Sequence, residues 1–436
     1  MADIRAFRGF RYDLGRVESL AAVVAPPYDV IDAALQQKLY DASPYNAIRV
    51  ELTKDETGDT ASENKYSRAS RTLKDWTGEE ILKQDTARSI YVYEQEFTVE
   101  GETFTRRGFM ARVRLEPFGT GRIFPHEQTL SGPKADRLKL YQATGFNISP
   151  VFGLYPDAAG EIFAKLEPLI RNSPPMTATD HLGVINRLWV VTDSATISAI
   201  IGLMGPKPVF IADGHHRYET GLKYLEEQQA AGTVQDDESA PNFCLMMLVG
   251  MNDPGLIILP THRLVSGLPN VRSEDLQEAL LDYFDIVETE TNAKGCWEIA
   301  QLHADAAPAP VLAFGTVTDG KWFVARLRDP AIMAELAKDQ SEDWRGLSVS
   351  VLHKLVLDKL VKDAFPGTQS CTYVHLLKEV IDAAAAKSCQ IVCLVPPVGM
   401  DEVEAIAGNR EKMPPKSTYF YPKILTGLVQ NSLRQD

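Results

Sequence analysis

The chain has 436 residues, 44% of them hydrophobic and 24% charged, with a formal net charge of −14 and a pI near 5.2. This length predicts two or three domains with packed cores, and the acidic balance argues against a broad nucleic-acid surface. No stretch has the composition of a signal peptide or a membrane span, so we expect a cytoplasmic protein without a membrane partner. Five scattered cysteines argue against a disulfide framework.

Near the N-terminus, two prolines precede a predicted helix. In Ala25-Pro26-Pro27-Tyr28-Asp29-Val30 they restrict the backbone, and Asp29 is the predicted N-cap of a helix running to about Asp41. Residues 47–52 are β-branched and apolar enough to predict a short strand.

A hairpin follows. Residues 89–99 alternate in the manner of a strand, Glu100-Gly101 predicts the turn, and residues 103–115 return. The return strand carries four arginines, Arg106, Arg107, Arg112 and Arg114, in the most basic part of an acidic chain. Such charges usually lie on a solvated strand face, and an anion-binding role for one of them is the lesser alternative.

Residues 124–138 concentrate several chemical groups in one loop and the start of a helix. Gly132-Pro133 predicts a turn ahead of a helix from about Lys134 to Ala143. Within about a dozen positions lie an imidazole, two carboxylates, a hydroxyl, an ammonium and a guanidinium, which are groups that handle phosphate and a proton. The candidates are His126, Glu127, Lys134, Asp136 and Arg137. A solvated surface loop is an equally good interpretation.

The most informative stretch is Pro208-Val209-Phe210-Ile211-Ala212-Asp213-Gly214-His215-His216-Arg217-Tyr218-Glu219-Thr220. The apolar run predicts a short strand, Asp213-Gly214 predicts a turn, and the spacing after His215 predicts an amphipathic helix. A helix N-terminus presents unpaired N–H groups and a partial positive charge, where cations are normally unfavourable. His215, His216 and Arg217 at that end, beside a glycine, therefore indicate a bound phosphate or similar anion. The plainer alternative is that Asp213 caps the helix and the histidines are surface or core residues.

Farther along, His262 and Arg263 follow Pro260-Thr261 at a predicted strand end, from which they could reach the same anion. Residues 373–386 predict a helix. The C-terminal stretch contains Lys416, Ser417 and Thr418, followed by aromatic residues and Pro422-Lys423, and is expected to be ordered. A change in the sequence pattern near residues 267–270 divides the chain into predicted domains 1–270 and 271–436. The last segment of the chain is expected to pack back on the first domain. The predicted fold is α/β to α+β with a mixed sheet and a smaller C-terminal α+β domain.

Five motifs in the same order resemble the bacterial domain-of-unknown-function family 1015 over nearly the whole chain. They are Pro26-Pro27-Tyr28-Asp29, the Pro125-His126-Glu127 loop with Gly132-Pro133-Lys134, Asp213-Gly214-His215-His216-Arg217-Tyr218, Pro260-Thr261-His262-Arg263, and Lys416-Ser417-Thr418-Tyr419-Phe420-Tyr421-Pro422.

More distantly, Asp213-Gly214-His215-His216-Arg217 is similar to the turn and helix start shared by the ParB partition proteins, sulfiredoxin and the free-serine kinases. This resemblance implies a nucleotide-phosphate site, with Gly214 allowing close backbone approach, Arg217 contacting phosphate, and the two histidines as further donors. No basic helix-turn-helix region is evident in the sequence and no cysteine lies beside the motif, which argues against DNA binding and sulfiredoxin-type chemistry.

Three functions fit this sequence. The first is a nucleotide-dependent phosphotransferase acting on a small hydroxyl compound, with serine as the leading candidate. It would use ATP or ADP as donor and presumed Mg²⁺ held by Asp213. Asp213, Glu127 and His126 are the catalytic candidates, with Lys134 or Arg263 neutralising charge. The second is a nucleotide-binding regulatory or scaffold protein, and the third a metal-dependent hydrolase using His126, Glu127, His215 and His216. The sequence leaves the oligomeric state open.

Overall fold

A computed structural model describes residues 2–127, 131–290, 292–306 and 309–434. These residues divide into two compact units. The first unit contains the described residues of Met1–Pro125, Thr129–Leu256 and Pro422–Asp436, and the second those of His126–Gln128 and Ile257–Tyr421. The division into domains 1–270 and 271–436 stays a prediction.

The first unit is built on a nine-stranded mixed sheet. The strands and helices of this unit before residue 257 are β1 (Ile4–Arg5), β2 (Phe10–Tyr12), α1 (Leu20–Val23), α2 (Ala33–Ala42), α3 (Ile48–Glu51), α4 (Lys65–Gly78), β3 (Leu82–Gln84), β4 (Ile90–Val99), β5 (Glu102–Arg114), β6 (Ile123–Phe124), α5 (Ser131–Thr144), β7 (Phe146–Asn147), β8 (Val151–Tyr155), α6 (Glu161–Arg171), β9 (Met176–Thr179), β10 (Ile185–Val191), α7 (Ser194–Met204), β11 (Val209–Asp213), α8 (His215–Ala230) and β12 (Phe243–Gly250).

The sheet order is β6-β11-β8-β12-β5-β4-β10-β9, and β1 also pairs with β5. β11 runs parallel to β6 and antiparallel to β8, while β12 runs parallel to β8 and antiparallel to β5. β12 is a run of eight residues of which seven are buried, as expected for a strand inside a sheet covered on both faces. The predicted mixed sheet is confirmed.

The second unit contains a six-stranded sheet in the order β15-β17-β16-β19-β14-β18, in which every described strand pair is antiparallel. Its elements are β13 (Ile257–Leu259), β14 (His262–Ser266), α9 (Ser273–Leu280), β15 (Phe284–Glu290), α10 (Ala293–Ala306), β16 (Val311–Thr316), β17 (Lys321–Leu327), α11 (Ile332–Leu336), α12 (Glu342–Gly346), α13 (Ser348–Val351), a π-helix (Leu352–Val361), α14 (Lys362–Ala364), β18 (Ser370–Val374), α15 (Leu377–Ala385), β19 (Ile391–Leu394), α16 (Met400–Gly408) and β20 (Tyr419–Tyr421).

The chain then ends in the first unit. Phe10 and Gln430 exchange backbone hydrogen bonds, and so do Ala25 and Thr426. A last strand, β21 (Asn431–Ser432), pairs with β7. These contacts bind the C-terminal segment to elements far earlier in the chain, and they position residues of the candidate site.

Two predicted elements were wrong. Residues 47–52 contain a helical turn, α3, because the Asn46 carboxamide accepts the N–H of Ile48 and the Glu51 N–H donates to Ala47. Ile48 and Val50 are fully buried there, so tertiary packing outweighs their β propensity. The predicted helix 373–386 begins only at Leu377, because residues 370–374 form β18 against β14.

The predicted hairpin is confirmed as β4 and β5, but its arginines do not all lie on a solvated face. Arg106 is fully buried and Arg112 is nearly so. The predicted N-cap of the first long helix was also wrong, because the side chain of Asp32, not Asp29, accepts the Leu35 N–H. Within the described ranges, none of the helices combines the length and the apolar character needed to cross a bilayer.

Candidate functional site

The predicted strand, turn and helix around Asp213 are present in the first unit. β11 ends at Asp213, Gly214 occupies the N-cap position with a left-handed φ of +86°, and α8 begins at His215. Because Gly214 has no side chain, the N-cap residue itself contributes no capping hydrogen bond to this helix. Glycine is required because a Cβ at position 214 would lie 2.9 Å from the Arg217 guanidinium and would also be strained by the positive φ. The first turn of α8 therefore presents backbone N–H groups, and charged side chains lie close to it.

Asp213 is the centre of an ion-pair cluster. Arg217 Nη2 donates to Asp213 Oδ2 at 2.7 Å, and Lys423 Nζ donates to Asp213 Oδ1 at 2.8 Å. Arg217 Nη1 also donates to the carbonyl of Pro150. Burial alone would lower the pKa of Arg217, but Asp213 and the nearby Asp29 outweigh it and the pKa is raised. Arg217 therefore stays charged, and its hydrogen bonds to Asp213 and to the Pro150 carbonyl stabilise the turn.

Lys423 reaches this cluster because hydrogen bonds hold the backbone of its segment in place. The buried guanidinium of Arg106 donates to the carbonyl of Pro422 and to the Gln95 carboxamide. Gln95 in turn donates to the carbonyl of Lys423 at 3.1 Å. The Lys423 side chain is only 11% exposed. Two polar groups of the hairpin β4–β5 thus fix the backbone from which this lysine extends.

The two histidines at the start of α8 differ in environment. His215 is buried and His216 is half-buried. The carbonyl of His216 accepts the hydroxyl of Thr220 at 2.7 Å, one turn along the helix. Lys134 Nζ, from α5, forms an ion pair with Glu219 of α8 at 2.7 Å. The structure thus brings Lys134 to the helix that bears the candidate turn, where it links α5 to α8.

Asp136 and Arg137 belong to a second cluster of the first unit. Arg137 is buried, donates to the carbonyl of Glu51 at 2.8 Å and contacts its carboxylate at 3.4 Å. Its other edge donates to Asp136, whose remaining oxygen accepts the hydroxyl of Tyr66 at 2.7 Å. Burial opposes ionisation of Asp136, but Arg137 outweighs it and the pKa of Asp136 is lowered. Both groups are therefore charged and mutually satisfied.

Three residues of this cluster and the neighbouring one were missed by sequence reasoning. Glu51 is buried and accepts the hydroxyl of Ser149 at 3.0 Å, and the ring of Tyr28 lies 4.2 Å from the Arg137 guanidinium. A lone carboxylate in an apolar run was the signal that could have identified Glu51. Tyr28 belongs to the first motif, and its electrostatic interaction with Arg217 relates that motif to the turn at Gly214. Lys423 was also missed, although it directly follows the C-terminal motif.

The other predicted residues lie in the second unit. His126 Nε2 is 2.9 Å from the Thr418 hydroxyl, and the His126 carbonyl accepts the Met413 N–H. Glu127 Oε1 accepts the backbone N–H of Lys416 at 2.7 Å. Ser417 is buried and donates to the carbonyl of Pro414 at 2.6 Å. The C-terminal motif and the His126-Glu127 pair are thus joined by hydrogen bonds.

His262 and Arg263 are both buried in β14. His262 Nδ1 accepts the Val395 N–H at 3.3 Å, and the ring packs edge-on against Trp297. Burial, with the charge of Arg263 nearby, lowers the pKa of His262 to about 3, so this imidazole is neutral. Arg263 donates to the carbonyls of Thr261 and Lys416.

The site residues offer no ready metal centre. In residues 2–127, 131–290, 292–306 and 309–434, no three His, Cys, Asp or Glu side chains are grouped so that they could hold a metal ion. Both carboxylate oxygens of Asp213 are held by cations, so Asp213 in this arrangement does not fit a Mg²⁺ ligand. The described residues therefore give no support to the metal-dependent hydrolase.

Several solved structures are similar to this chain over much of its length. A free serine kinase in complex with AMP is 14% identical, covers 70% of this chain and 89% of its own, and has a TM-score of 0.34. C-terminally truncated SbnI from Staphylococcus aureus is 12% identical, covers 75% and 90%, and has a TM-score of 0.35. A conserved hypothetical protein from Pyrococcus furiosus is 13% identical, covers 69% and 90%, and has a TM-score of 0.33.

No curated protein matches the chain. A family model does match, over residues 4–350, which is more than half of the 436 residues. The matched range contains four of the five motifs that carried the resemblance in the sequence. This match confirms the predicted family, and the chain belongs to the family described as "Protein of unknown function (DUF1015)".

Proposed function

We propose that this protein is a nucleotide-dependent phosphotransferase that acts on a small hydroxyl compound, with an amino acid such as serine as the leading candidate. The observation that carries the proposal is the start of α8. There a left-handed glycine replaces a side-chain cap, and cationic side chains meet at the adjoining Asp213. Backbone N–H groups at a helix N-terminus, together with the helix dipole, favour a phosphate group. The distant resemblance of this motif to nucleotide-phosphate turns points the same way.

The positive charge of this region comes from two side chains, Arg217 and Lys423, which differ in accessibility. Arg217 is buried and bonded to Asp213 and to the Pro150 carbonyl, so we assign it to the support of the turn as well as to the local positive potential. Lys423 is the more accessible of the two, because its side chain is 11% exposed whereas that of Arg217 is 4% exposed. An arriving phosphate would compete with Asp213 for Lys423, which makes this lysine the expected direct contact.

Phosphoryl transfer depends on positioning and on neutralising charge more than on covalent chemistry by the protein. ATP or ADP is the proposed donor, and a bound Mg²⁺ would supply additional charge neutralisation. Mg²⁺ commonly binds substrate phosphates while it keeps several water ligands, so the proposal does not need Asp213 as a ligand. His126 and Glu127 remain the proposed base candidates, and Lys134 and Arg263 remain proposed charge-neutralising residues.

Calorimetric titration of the full chain with ATP, ADP, CTP and GTP, with and without Mg²⁺, tests nucleotide binding. We expect one nucleotide to bind and Lys423→Met to weaken its affinity at least tenfold, since a lost charged contact is worth about 1.5–3 kcal/mol. Lys223→Met is the matched control, because Lys223 is an exposed lysine on α8. Absence of binding to the wild type would refute the proposal.

A second measurement separates the phosphotransferase from a nucleotide-binding regulatory protein. ADP release is followed with ATP and a panel of small hydroxyl compounds, including serine. Acceptor-dependent release that is lost in Lys423→Met supports phosphoryl transfer. Nucleotide binding without any acceptor-dependent release would instead identify the regulatory or scaffold alternative.

A further inference from the structure

A cavity of about 660 Å³ lies in the first unit, at the ends of β8 and β12. β8 ends at Tyr155 and β12 ends at Gly250, and these two residues are partners in the sheet. Asp213, by contrast, is paired with Phe152 near the start of β8. The cavity is therefore at the other end of this strand from the Gly214 turn, and it is separate from the nucleotide site proposed there.

Aromatic side chains and a glycine shape this cavity. Phe104 and Phe163 line it, and both are half-buried. Gly250 also lines it, and a Cβ at this position would lie 3.8 Å from Asp157 Cβ and 4.0 Å from the ring of Tyr155. A longer side chain at position 250 would therefore occupy the cavity. The walls combine apolar surface with a few polar groups, as in sites that bind small molecules.

Tyr155 has a hydroxyl group that is available to a bound molecule. The residue is only 2% exposed and lines the cavity. No hydrogen bond joins its hydroxyl to any of the described residues. Burial raises the pKa of Tyr155, and the carboxylates of Asp157 and Asp253 add to this effect, so the hydroxyl is protonated. Buried tyrosine hydroxyls usually have a hydrogen-bond partner, so this one points to a ligand in the cavity.

Asp253 is a second polar group of the cavity with unused hydrogen-bonding capacity. Its Oδ1 accepts the N–H of Gly255 at 2.9 Å, and its Oδ2 accepts that of Arg107 at 3.3 Å. Each carboxylate oxygen can accept about two hydrogen bonds. Burial raises the pKa of Asp253 and outweighs these N–H groups and the charges of Arg106 and Arg107. The carboxylate is therefore incompletely stabilised, and a cationic donor would stabilise it further.

The charge around the cavity is negative. Three acidic side chains and one basic side chain line it, namely Glu102, Asp157, Asp253 and Arg107. Arg107 is already paired with Glu94 at 3.3 Å. Asp157 is paired with Lys207 at 3.2 Å. Carboxylates still outnumber cations among these residues when the buried Arg106 is counted, so the electrostatic potential favours a cation over an anion.

We propose that this cavity binds a small organic amine in its protonated form. The ammonium group would donate to the Asp253 carboxylate and to the Tyr155 hydroxyl oxygen, and an ammonium has three N–H donors with which to do so. The carbon skeleton would contact Phe104 and Phe163, whose ring faces attract a cation as well as apolar groups. The site uses none of the residues proposed for phosphoryl transfer and is independent of that function.

Titration calorimetry of the full chain with benzylamine, at neutral pH and constant ionic strength, tests the proposal. Benzylamine combines an ammonium group with an apolar ring and is expected to bind. Benzyl alcohol, which has a similar shape without the charge, should bind about tenfold more weakly, and benzoate should bind more weakly still. Asp253→Asn should weaken benzylamine binding about tenfold, because the carboxamide keeps the shape of the side chain but loses its charge.

Gly250→Leu is a second variant, which tests the location of the site without removing a charge or a hydrogen bond. Its side chain would fill the space beside Tyr155, so binding of benzylamine should be lost. Asp75→Asn is the matched control for the carboxylate, because Asp75 is an exposed residue of α4. Gly202→Leu is the control for the glycine, because a Cβ there meets no atom within 4 Å. Both controls should bind benzylamine as the wild type does.

Circular dichroism shows which variants are folded. Failure of benzylamine to bind the wild type would overturn the proposal, and so would wild-type affinity in a folded Asp253→Asn or Gly250→Leu variant. Benzoate binding that is tighter than benzylamine binding, and that Gly250→Leu abolishes, would overturn the assignment of a cationic ligand.

Discussion

Removing the charge of Asp213 tests the central cluster of the first unit. Asp213→Asn keeps the size of the side chain but leaves Arg217 and Lys423 without their shared carboxylate, and it places an amide N–H₂ towards a cationic donor. Breaking a buried ion pair by removing one partner costs about 3–5 kcal/mol. We expect the lower part of that range, about 3 kcal/mol, because the Asp213 side chain is 16% exposed and water relieves part of the imbalance.

The measurement is native-state hydrogen exchange of residues 209–230 at increasing urea, which reports on β11 and α8 directly. A local measurement is needed because a chain with two compact units need not unfold in a two-state transition. Lys223→Met, which removes an exposed ion pair with Glu226 on the same helix, is the control and should leave the exchange of α8 nearly unchanged, because water and salt screen an exposed pair. If Asp213→Asn destabilises α8 no more than this control does, the cluster does not support the turn as reasoned.

Three further predictions concern other parts of the chain. Gly214→Ala should destabilise the first unit by about 1–2 kcal/mol and abolish nucleotide binding, since φ is +86° and the new Cβ would meet Arg217; an unchanged melting temperature with intact binding would contradict this. Arg106→Met should release the segment that begins at Pro422, because the buried guanidinium holds that carbonyl, and limited proteolysis should then remove the C-terminus faster than in the wild type. The second unit should lose stability as the pH falls from about 6.5 to about 3, because the pKa of His262 is lowered to about 3 by burial and by the nearby charge of Arg263.

The sign of the pH effect follows from which state binds the proton. The unfolded chain protonates this histidine near pH 6.5 whereas the folded chain does not until about pH 3, so acid favours unfolding and stability is fully present only above about pH 6.5. The slope contributed by His262 should reach about 1.4 kcal/mol per pH unit. Native-state hydrogen exchange of β14 at increasing urea, repeated at several pH values, measures this slope locally. An equally steep slope in His262→Gln would show that other groups cause the effect.

Local sequence features predicted the β4–β5 hairpin and the β11-turn-α8 unit because their determinants lie within a few residues. Alternation and the Glu100-Gly101 pair define the hairpin, while Asp213-Gly214 and the helical spacing after His215 define the turn and helix. Where neighbours distant in sequence decide the conformation, the prediction failed. Residues 370–374 became a strand because β14 offers an edge with which they can pair.

The sequence by itself determined the family, through motifs of which four lie in the matched range, and the local geometry of the Gly214 turn, because only glycine adopts that left-handed conformation beside Arg217 without strain. Only the tertiary structure decided which charges meet there. Lys423 is 210 residues from Asp213 in the chain, and its position depends on the burial of Arg106 within the sheet. Likewise, the lack of an ion-pair partner for Arg263 among the described residues is a property of packing in three dimensions, since no local pattern records which acceptors a buried side chain will find.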